Sequence, residues 1–199
     1  MVASVEYRTS NESVFPEPLI DAKAAIRYLK AHAEDFCIDV ERICVMGESA
    51  GGTMASLVGL TGNVTEFEQG DFENIDSSVQ AVVDFYGPID FNHISLDTSS
   101  NDVPPWILQD FLGLDYTEEM ADKASAITYI TEKTPPVLIL HGSSDIVAPI
   151  SQSEKFYEKL QKAGVVSDLY ILNGAEHGAD CFYQEKTLCV VDEFLKKVL

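Results

Sequence analysis

Apolar positions follow two different periods along this chain. The stretches 42–46, 79–86, 136–141 and 168–172 are short and continuous, rich in Val, Ile and Leu, which predicts strands buried on both faces. Between them the spacing turns helical. Leu19, Ala22, Ile26 and Leu29 recur on one face of a helix that ends near His32, and residues 53–60 continue as a second helix. Over 150–163, Phe156, Leu160 and Ala163 oppose Glu154, Lys155, Glu158 and Lys159, and a last helix runs from about 181 to 198. Residues 2–7, with Val2, Val5 and Tyr7, read as one more short strand at the front. Strands that alternate with helices predict an α/β fold: a mostly parallel sheet of about five strands with helices on both faces.

Punctuation divides the pattern further. Pro16 and Pro18 open the first helix, and Gly87-Pro88 stops the strand at 79–86. Residues 61–78, with Glu66, Glu68, Asp71, Glu73 and Asp76, read as an acidic surface loop. The span 89–129 is the longest without a clear strand and holds Pro104-Pro105-Trp106 and a short helix to Phe111, so it is expected as an insertion that caps or walls a site. With no repeat and no linker, residues 1–199 are expected to form a single domain.

Charge narrows the partners. A formal net charge of -20 with only 13 Lys and Arg argues against nucleic acid and anionic membranes, which demand cationic patches. No apolar run is long enough for a membrane span, and no charged region followed by an apolar one opens the chain. The cysteines, Cys37, Cys44, Cys181 and Cys189, are scattered without a C-x-x-C, which suits free thiols in a reducing compartment and makes a cytoplasmic location the expectation. No His, Cys, Asp or Glu grouping has metal spacing, and no Gly-rich loop matches a phosphate cradle, so neither metal nor cofactor is expected.

The candidate chemistry centres on Met46-Gly47-Glu48-Ser49-Ala50-Gly51-Gly52, where a predicted strand turns directly into a predicted helix around a serine. Such a turn presents the serine hydroxyl above the sheet as a nucleophile elbow. Gly47 and Gly51 are expected to let strand and helix close on each other, and the Ala50 N–H, at the helix start, faces a developing oxyanion. A serine needs a base to take its proton and a carboxylate to orient that base. His177, in Ala175-Glu176-His177-Gly178, and Asp145, in Gly142-Ser143-Ser144-Asp145, both follow predicted strands. In a parallel sheet those loops share one edge, so they converge on the elbow. Asp84 and Asp90 lie near another strand end as alternative acids, while His32 and His93 suit solvated positions and His141 suits a packed or hydrogen-bonded place beneath the site.

These motifs, with Ser4-Val5-Glu6-Tyr7-Arg8, Phe15-Pro16-Glu17-Pro18-Leu19, the run from Val79 through Pro88 and Pro136-Val137-Leu138-Ile139-Leu140-His141-Gly142, resemble the α/β-hydrolase esterase/lipase family over essentially the whole chain. The nearest branch in pattern is the acetyl-xylan and feruloyl esterase-like carboxylesterases. The resemblance implies hydrolysis of small acyl esters, sugar-linked ones among them, through an acyl-enzyme, with Ser49 as nucleophile, His177 as base then acid, and Asp145 orienting His177. It implies no cofactor, and a small-molecule ester as the partner. Glu48, Trp106 and Phe111 are candidate substrate contacts. A peptidase of the prolyl-oligopeptidase type is the enzymatic alternative, and a catalytically silent remnant serving as a binding module is the alternative outside enzymes.

The chain departs from that family at the front. Members carry three further strands and a His-Gly-Gly loop that supplies oxyanion donors, and no His-Gly-Gly occurs here. Two expectations follow: weakened catalysis, and a sheet edge at residues 2–7 that rearranges or pairs in a homo-oligomer.

Overall fold

A computed structural model of the chain describes residues 1–62, 64–92 and 105–199. His93 and Pro104, in the predicted insertion, lie outside the described residues. The helices are α1 (Glu17–Ala31), α2 (Ala33–Phe36), α3 (Ala50–Leu60), α4 (Pro105–Leu112), α5 (Glu118–Ala124), α6 (Ile150–Lys162) and α7 (Glu185–Val198). The strands are β1 (Cys44–Glu48), β2 (Ala81–Phe85), β3 (Val137–Gly142) and β4 (Ser167–Leu172). They form one parallel sheet in the order β1-β2-β3-β4, with Gly47 opposite Asp84 and Leu138 opposite both Val83 and Asp168. The chain is α/β, as the alternation of periods predicts.

Side chains leave a strand on alternate faces, so each buried strand feeds two cores. Val82, Val137 and Ile139 pack with Leu19 and Ile26 of α1, Leu57 and Val58 of α3, and Phe156 and Leu160 of α6. Val83, Phe85, Leu138 and Leu140 pack on the other side with Phe182 and with Val191 and Phe194 of α7. Full burial of each such side chain contributes about 1.5–3 kcal/mol. Helix α3 is apolar almost all round because it lies between the sheet and α1, and every residue from Gly52 to Leu60 is buried.

Residues 2–7 are not a strand, and the sheet among the described residues has four strands, not the expected five. The alternation survives, with Val5 and Tyr7 half-buried, but no ladder accompanies it. A strand needs a partner, and β1 pairs only with β2 among the described residues. The segment is instead held to α1, where Arg8 grips Asp21 through Nε and Nη2, each at 2.8 Å. The loop 61–78 also differs from a plain surface loop. Phe67 is buried, and Glu68 pairs with Lys23 at 2.8 Å and Arg27 at 2.6 Å, two cations on the inner face of α1. The predicted C-terminal helix begins later, at Glu185, after a separate 3-10 turn at Asp180–Tyr183.

Candidate active site

The elbow takes its shape from a close approach of β1 and α3. Ser49 sits between them at φ 52 and ψ -121, a left-handed conformation that a residue with a Cβ adopts only when its surroundings impose it. Its N–H donates to Phe85 O at 2.9 Å, and its carbonyl accepts the Thr53 N–H at 3.1 Å, which pins it to β2 and to the first helical turn. A Cβ on Gly47 would collide with the carbonyl of Gly51, as expected for the strand side. The helix side differs. Gly51 faces open space, and the position that admits no Cβ is Gly52, where a Cβ would collide with the Asp84 carboxylate and the Phe85 carbonyl.

His177 lies over the elbow. Its Nε2 is 2.8 Å from Ser49 Oγ and its Nδ1 is 2.7 Å from Asp145 Oδ2, so serine, imidazole and carboxylate form one continuous hydrogen-bonded chain. Asp145 Oδ1 accepts the N–H groups of Val147 and Ala148 at 2.8 and 2.9 Å. Burial opposes ionisation of this carboxyl, but hydrogen bonds from His141, from His177 and from those two amides outweigh it and hold Asp145 well below the usual carboxylate range. Asp84 and Asp90 stand elsewhere. Asp84 is fully buried beneath the elbow, where its Oδ1 accepts the Gly87 N–H at 2.9 Å, and Asp90 Oδ1 accepts the Asn92 N–H at 3.1 Å.

The support of Asp145 runs to α6. His141, fully buried, has Nε2 2.9 Å from the Ala148 carbonyl and 3.4 Å from Asp145 Oδ2. A carbonyl only accepts, so Nε2 carries a proton, and Nδ1 lies 2.6 Å from the Ser153 hydroxyl. The neighbouring Gln152 takes the N–H groups of Ile89 and Asp90 at 3.0 and 2.9 Å. One turn of α6 thus fixes both the loop that carries Asp145 and the loop that leads to Phe91. Neither Gln152 nor Ser153 breaks the amphipathic pattern of that helix enough to be found from sequence; both are polar residues on its buried side.

Ser49, Ala50 and His177 open onto a cavity of about 290 Å³. Its wall is mainly apolar, with Met54, Pro88, Phe91, Ile107, Phe111 and Val147. Trp106 and Asp110 of α4 also line it, Trp106 being 56% exposed. Thr9, Ser10 and Ser13 border it from the N-terminal segment, a contribution that the sequence did not signal. Trp106 and Phe111 are therefore wall residues, whereas Glu48 is not: its carboxylate accepts from Tyr86 at 2.7 Å and from Tyr183. Tyr86 lies in the run that predicts β2, but nothing in the sequence signals that its hydroxyl meets Glu48, and Tyr183 belongs to no motif.

A buried, ionised carboxylate, an imidazole held by it and a hydroxyl at the mouth of an apolar cavity can remove a proton from the hydroxyl as it attacks an electrophile. The Ala50 N–H begins α3, and the first N–H groups of a helix have no intrahelical partner and can meet a negative charge. Among the described residues no cluster of three His, Cys, Asp or Glu could hold a metal ion, and no helix is long and apolar enough to cross a membrane. The cysteines are all free, and burial pushes the Cys44 thiol up to about 12.

Comparison with known proteins agrees with this architecture. The carboxylic ester hydrolase LipM of Mycobacterium tuberculosis, so named as probable, is 32% identical over 98% of this chain and 46% of its own length. Esterase LipC of the same organism is 35% identical over 89% of this chain and 44% of its own. The chain thus spans about half the length of the curated relatives it matches. Among solved structures, a truncated carbohydrate esterase from gut microbiota superposes with a TM-score of 0.86 at 28% identity, covering 98% of this chain and 72% of that one. Esterase 2 of Thermogutta terrifontis, solved with propionate, gives 0.78 at 27% identity over 97% of this chain and 70% of that one. Residues 1–160 match the BD-FAE family model. With most of its length inside that match, and esterases of α/β-hydrolase type as its structural neighbours, the chain belongs to the BD-FAE family.

Proposed function

We propose that the chain is a serine carboxylesterase that acts on small acyl esters through an acyl-enzyme. The observation that carries this reading is the hydrogen-bonded chain from Asp145 through His177 to Ser49 at the floor of an apolar cavity. His177 Nε2 takes the Ser49 proton as Oγ attacks the ester carbonyl, and the Ala50 N–H meets the carbonyl oxygen as it becomes an oxyanion. Asp145 keeps the Nδ1 proton on the side away from serine and stabilises the imidazolium. His177 then gives its proton to the departing alcohol, and water, deprotonated by the same imidazole, releases the acid.

The size of the cavity supports a small acyl group, since 290 Å³ lies at the low end of ligand pockets. Propionate bound to the Thermogutta terrifontis esterase supports the same size class, and the carbohydrate esterase among the structural neighbours supports a sugar as the alcohol. In that reading Trp106, exposed at the mouth, is a flat surface for a sugar ring, with Asp110 one helical turn further along α4 to take a hydroxyl. The test is p-nitrophenyl acetate hydrolysis by the chain and by its Ser49→Ala variant, beside a dipeptidyl p-nitroanilide. Acetate turnover that Ser49→Ala abolishes supports the esterase. Faster cleavage of the anilide indicates a peptidase, and equal rates for chain and variant indicate a binding module.

A further inference from the structure

The strand order sets a mechanical problem for this site. Ser49 follows β1 at one edge of the sheet and His177 follows β4 at the other, with β2 and β3 between them. At about 4.8 Å per strand, the loop that carries His177 must reach back roughly 14 Å across the carboxyl ends of the sheet. Near β3 it is stitched to the loop of Asp145: Ser144 N–H donates to Ala175 O at 3.0 Å and Gly174 N–H to Ser143 Oγ at 2.8 Å. Those bonds stop short of β1.

Glu48, Tyr86 and Tyr183 span the remainder. Glu48 directly precedes the nucleophile, Tyr86 follows β2, and Tyr183 closes the 3-10 turn that comes after His177. Both tyrosine hydroxyls donate to the same carboxylate oxygen of Glu48, and they lie 3.1 Å from each other. Bonds to an ionised acceptor are stronger than neutral ones, and two of them converge here. Tyr86 is buried, and its ring meets His177 edge to face at a centroid distance of 4.7 Å and Phe182 at 4.6 Å. Its backbone has φ 46, an outlier for a bulky aromatic residue, and its N–H is tied to Leu140 O at 2.8 Å. Backbone strain of this kind persists where the surroundings hold a residue in one working position.

We propose that Glu48 is a positioning residue: through Tyr86 and Tyr183 its carboxylate pins the His177 loop over the elbow and fixes the imidazole against Ser49. This rests on the reading of Ser49 and His177 as nucleophile and base. It assigns the carboxylate to the loop, not to substrate, consistent with its place outside the cavity wall.

The test uses the full chain with Glu48→Ala, Glu48→Gln, Tyr183→Phe and the Glu48→Ala/Tyr183→Phe double variant. Three readouts are taken: p-nitrophenyl acetate kinetics, thermal melting, and the low-field proton resonance of His177 Nδ1–H. Misplacing a reacting group by about 1 Å costs on the order of a hundredfold, so Glu48→Ala should lower kcat about 30- to 100-fold with KM changed less than about twofold. Tyr183→Phe removes one hydroxyl from a half-exposed ring and should lower kcat about fivefold without lowering the melting temperature. The double variant should be no worse than Glu48→Ala, and Glu48→Gln, which keeps an acceptor oxygen, should recover most of the rate. A raised KM with kcat intact, losses that add in the double variant, or no rescue by Glu48→Gln would each overturn the proposal. If the unmodified chain hydrolyses nothing, the esterase reading fails and the resonance decides the pin. Broadening or loss in Glu48→Ala and Tyr183→Phe supports it; an unchanged signal in both, or none in the unmodified chain, contradicts it.

Discussion

His177 Nδ1 meets one oxygen of Asp145 at 2.7 Å, while the other oxygen of that carboxylate is occupied by the amides of Val147 and Ala148. The carboxylate therefore cannot swing, and it presents a single lone-pair direction to the imidazole. Asp145→Asn keeps the shape and turns an acceptor into a donor, which drives the Nδ1 proton to Nε2, where it faces serine. We expect kcat to fall by about 10³- to 10⁴-fold with KM little changed, measured by steady-state hydrolysis of p-nitrophenyl acetate. The same site contributes to acid stability. The carboxyl is depressed below its ordinary value of 3.8, so its contribution is complete above that value and is lost as pH falls through the lower folded one. Unfolding followed from pH 6 to pH 2 should therefore show a steeper loss for the unmodified chain than for Asp145→Asn.

Asp84 has the opposite sign. It is fully buried beneath the elbow, and its Oδ2 has no hydrogen-bond partner among the described residues. Burial pushes its carboxyl up to about 7 from 3.8, against a smaller pull from the Gly87 amide. Between those values the folded state holds a proton that the unfolded state has lost, so stability falls as pH rises from about 4 to about 7 and levels off above. Asp84→Asn removes that dependence. Its melting temperature relative to the unmodified chain should be higher at pH 8 than at pH 4.5, by roughly 10 °C.

Glu68 neutralises Lys23 and Arg27, whose side chains are wholly buried between α1 and the loop 61–78. Glu68→Ala leaves two buried cations without their carboxylate, which costs about 3–5 kcal/mol. In a chain of this size the melting temperature should drop by roughly 10 °C. Differential scanning calorimetry measures it, and the hydrolysis of p-nitrophenyl acetate at 20 °C should stay within about twofold.

The buried strands and amphipathic helices were legible because burial on one or both faces writes itself into local periodicity: Val79 to Tyr86 predicts β2, and Phe156 with Leu160 predicts α6. Ser49, Asp145 and His177 could be placed on one sheet edge because each follows a predicted strand. Long-range pairing leaves no such trace. Val5 and Tyr7 alternate as a strand would, but whether a ladder forms depends on a partner that periodicity does not report. Lys23 and Arg27 sit on the inner face of α1 because Glu68 meets them across some forty residues, and Tyr86 and Tyr183 meet Glu48 in the same way. Gly51 fits the elbow pattern, yet the close contact falls on Gly52, because the helix turns that residue, not its neighbour, against β2.

The proposed role of Trp106 separates substrate recognition from stability. It is 56% exposed on the cavity rim, so Trp106→Ala should change the melting temperature by less than about 2 °C. Against an acetylated xylo-oligosaccharide KM should rise about 5- to 20-fold, and against p-nitrophenyl acetate less than about twofold, because in the proposed reading only the sugar ring uses the indole face. Equal effects on both substrates would assign Trp106 to the acyl side of the cavity.

The central claim is that His177 activates Ser49 as a nucleophile. It is tested most directly by reacting the chain with a fluorophosphonate and mapping the adduct by peptide mass spectrometry. The account predicts one adduct, on Ser49, formed at least about a hundredfold more slowly in His177→Ala. An unlabelled Ser49, or a labelling rate that His177→Ala leaves unchanged, would contradict it.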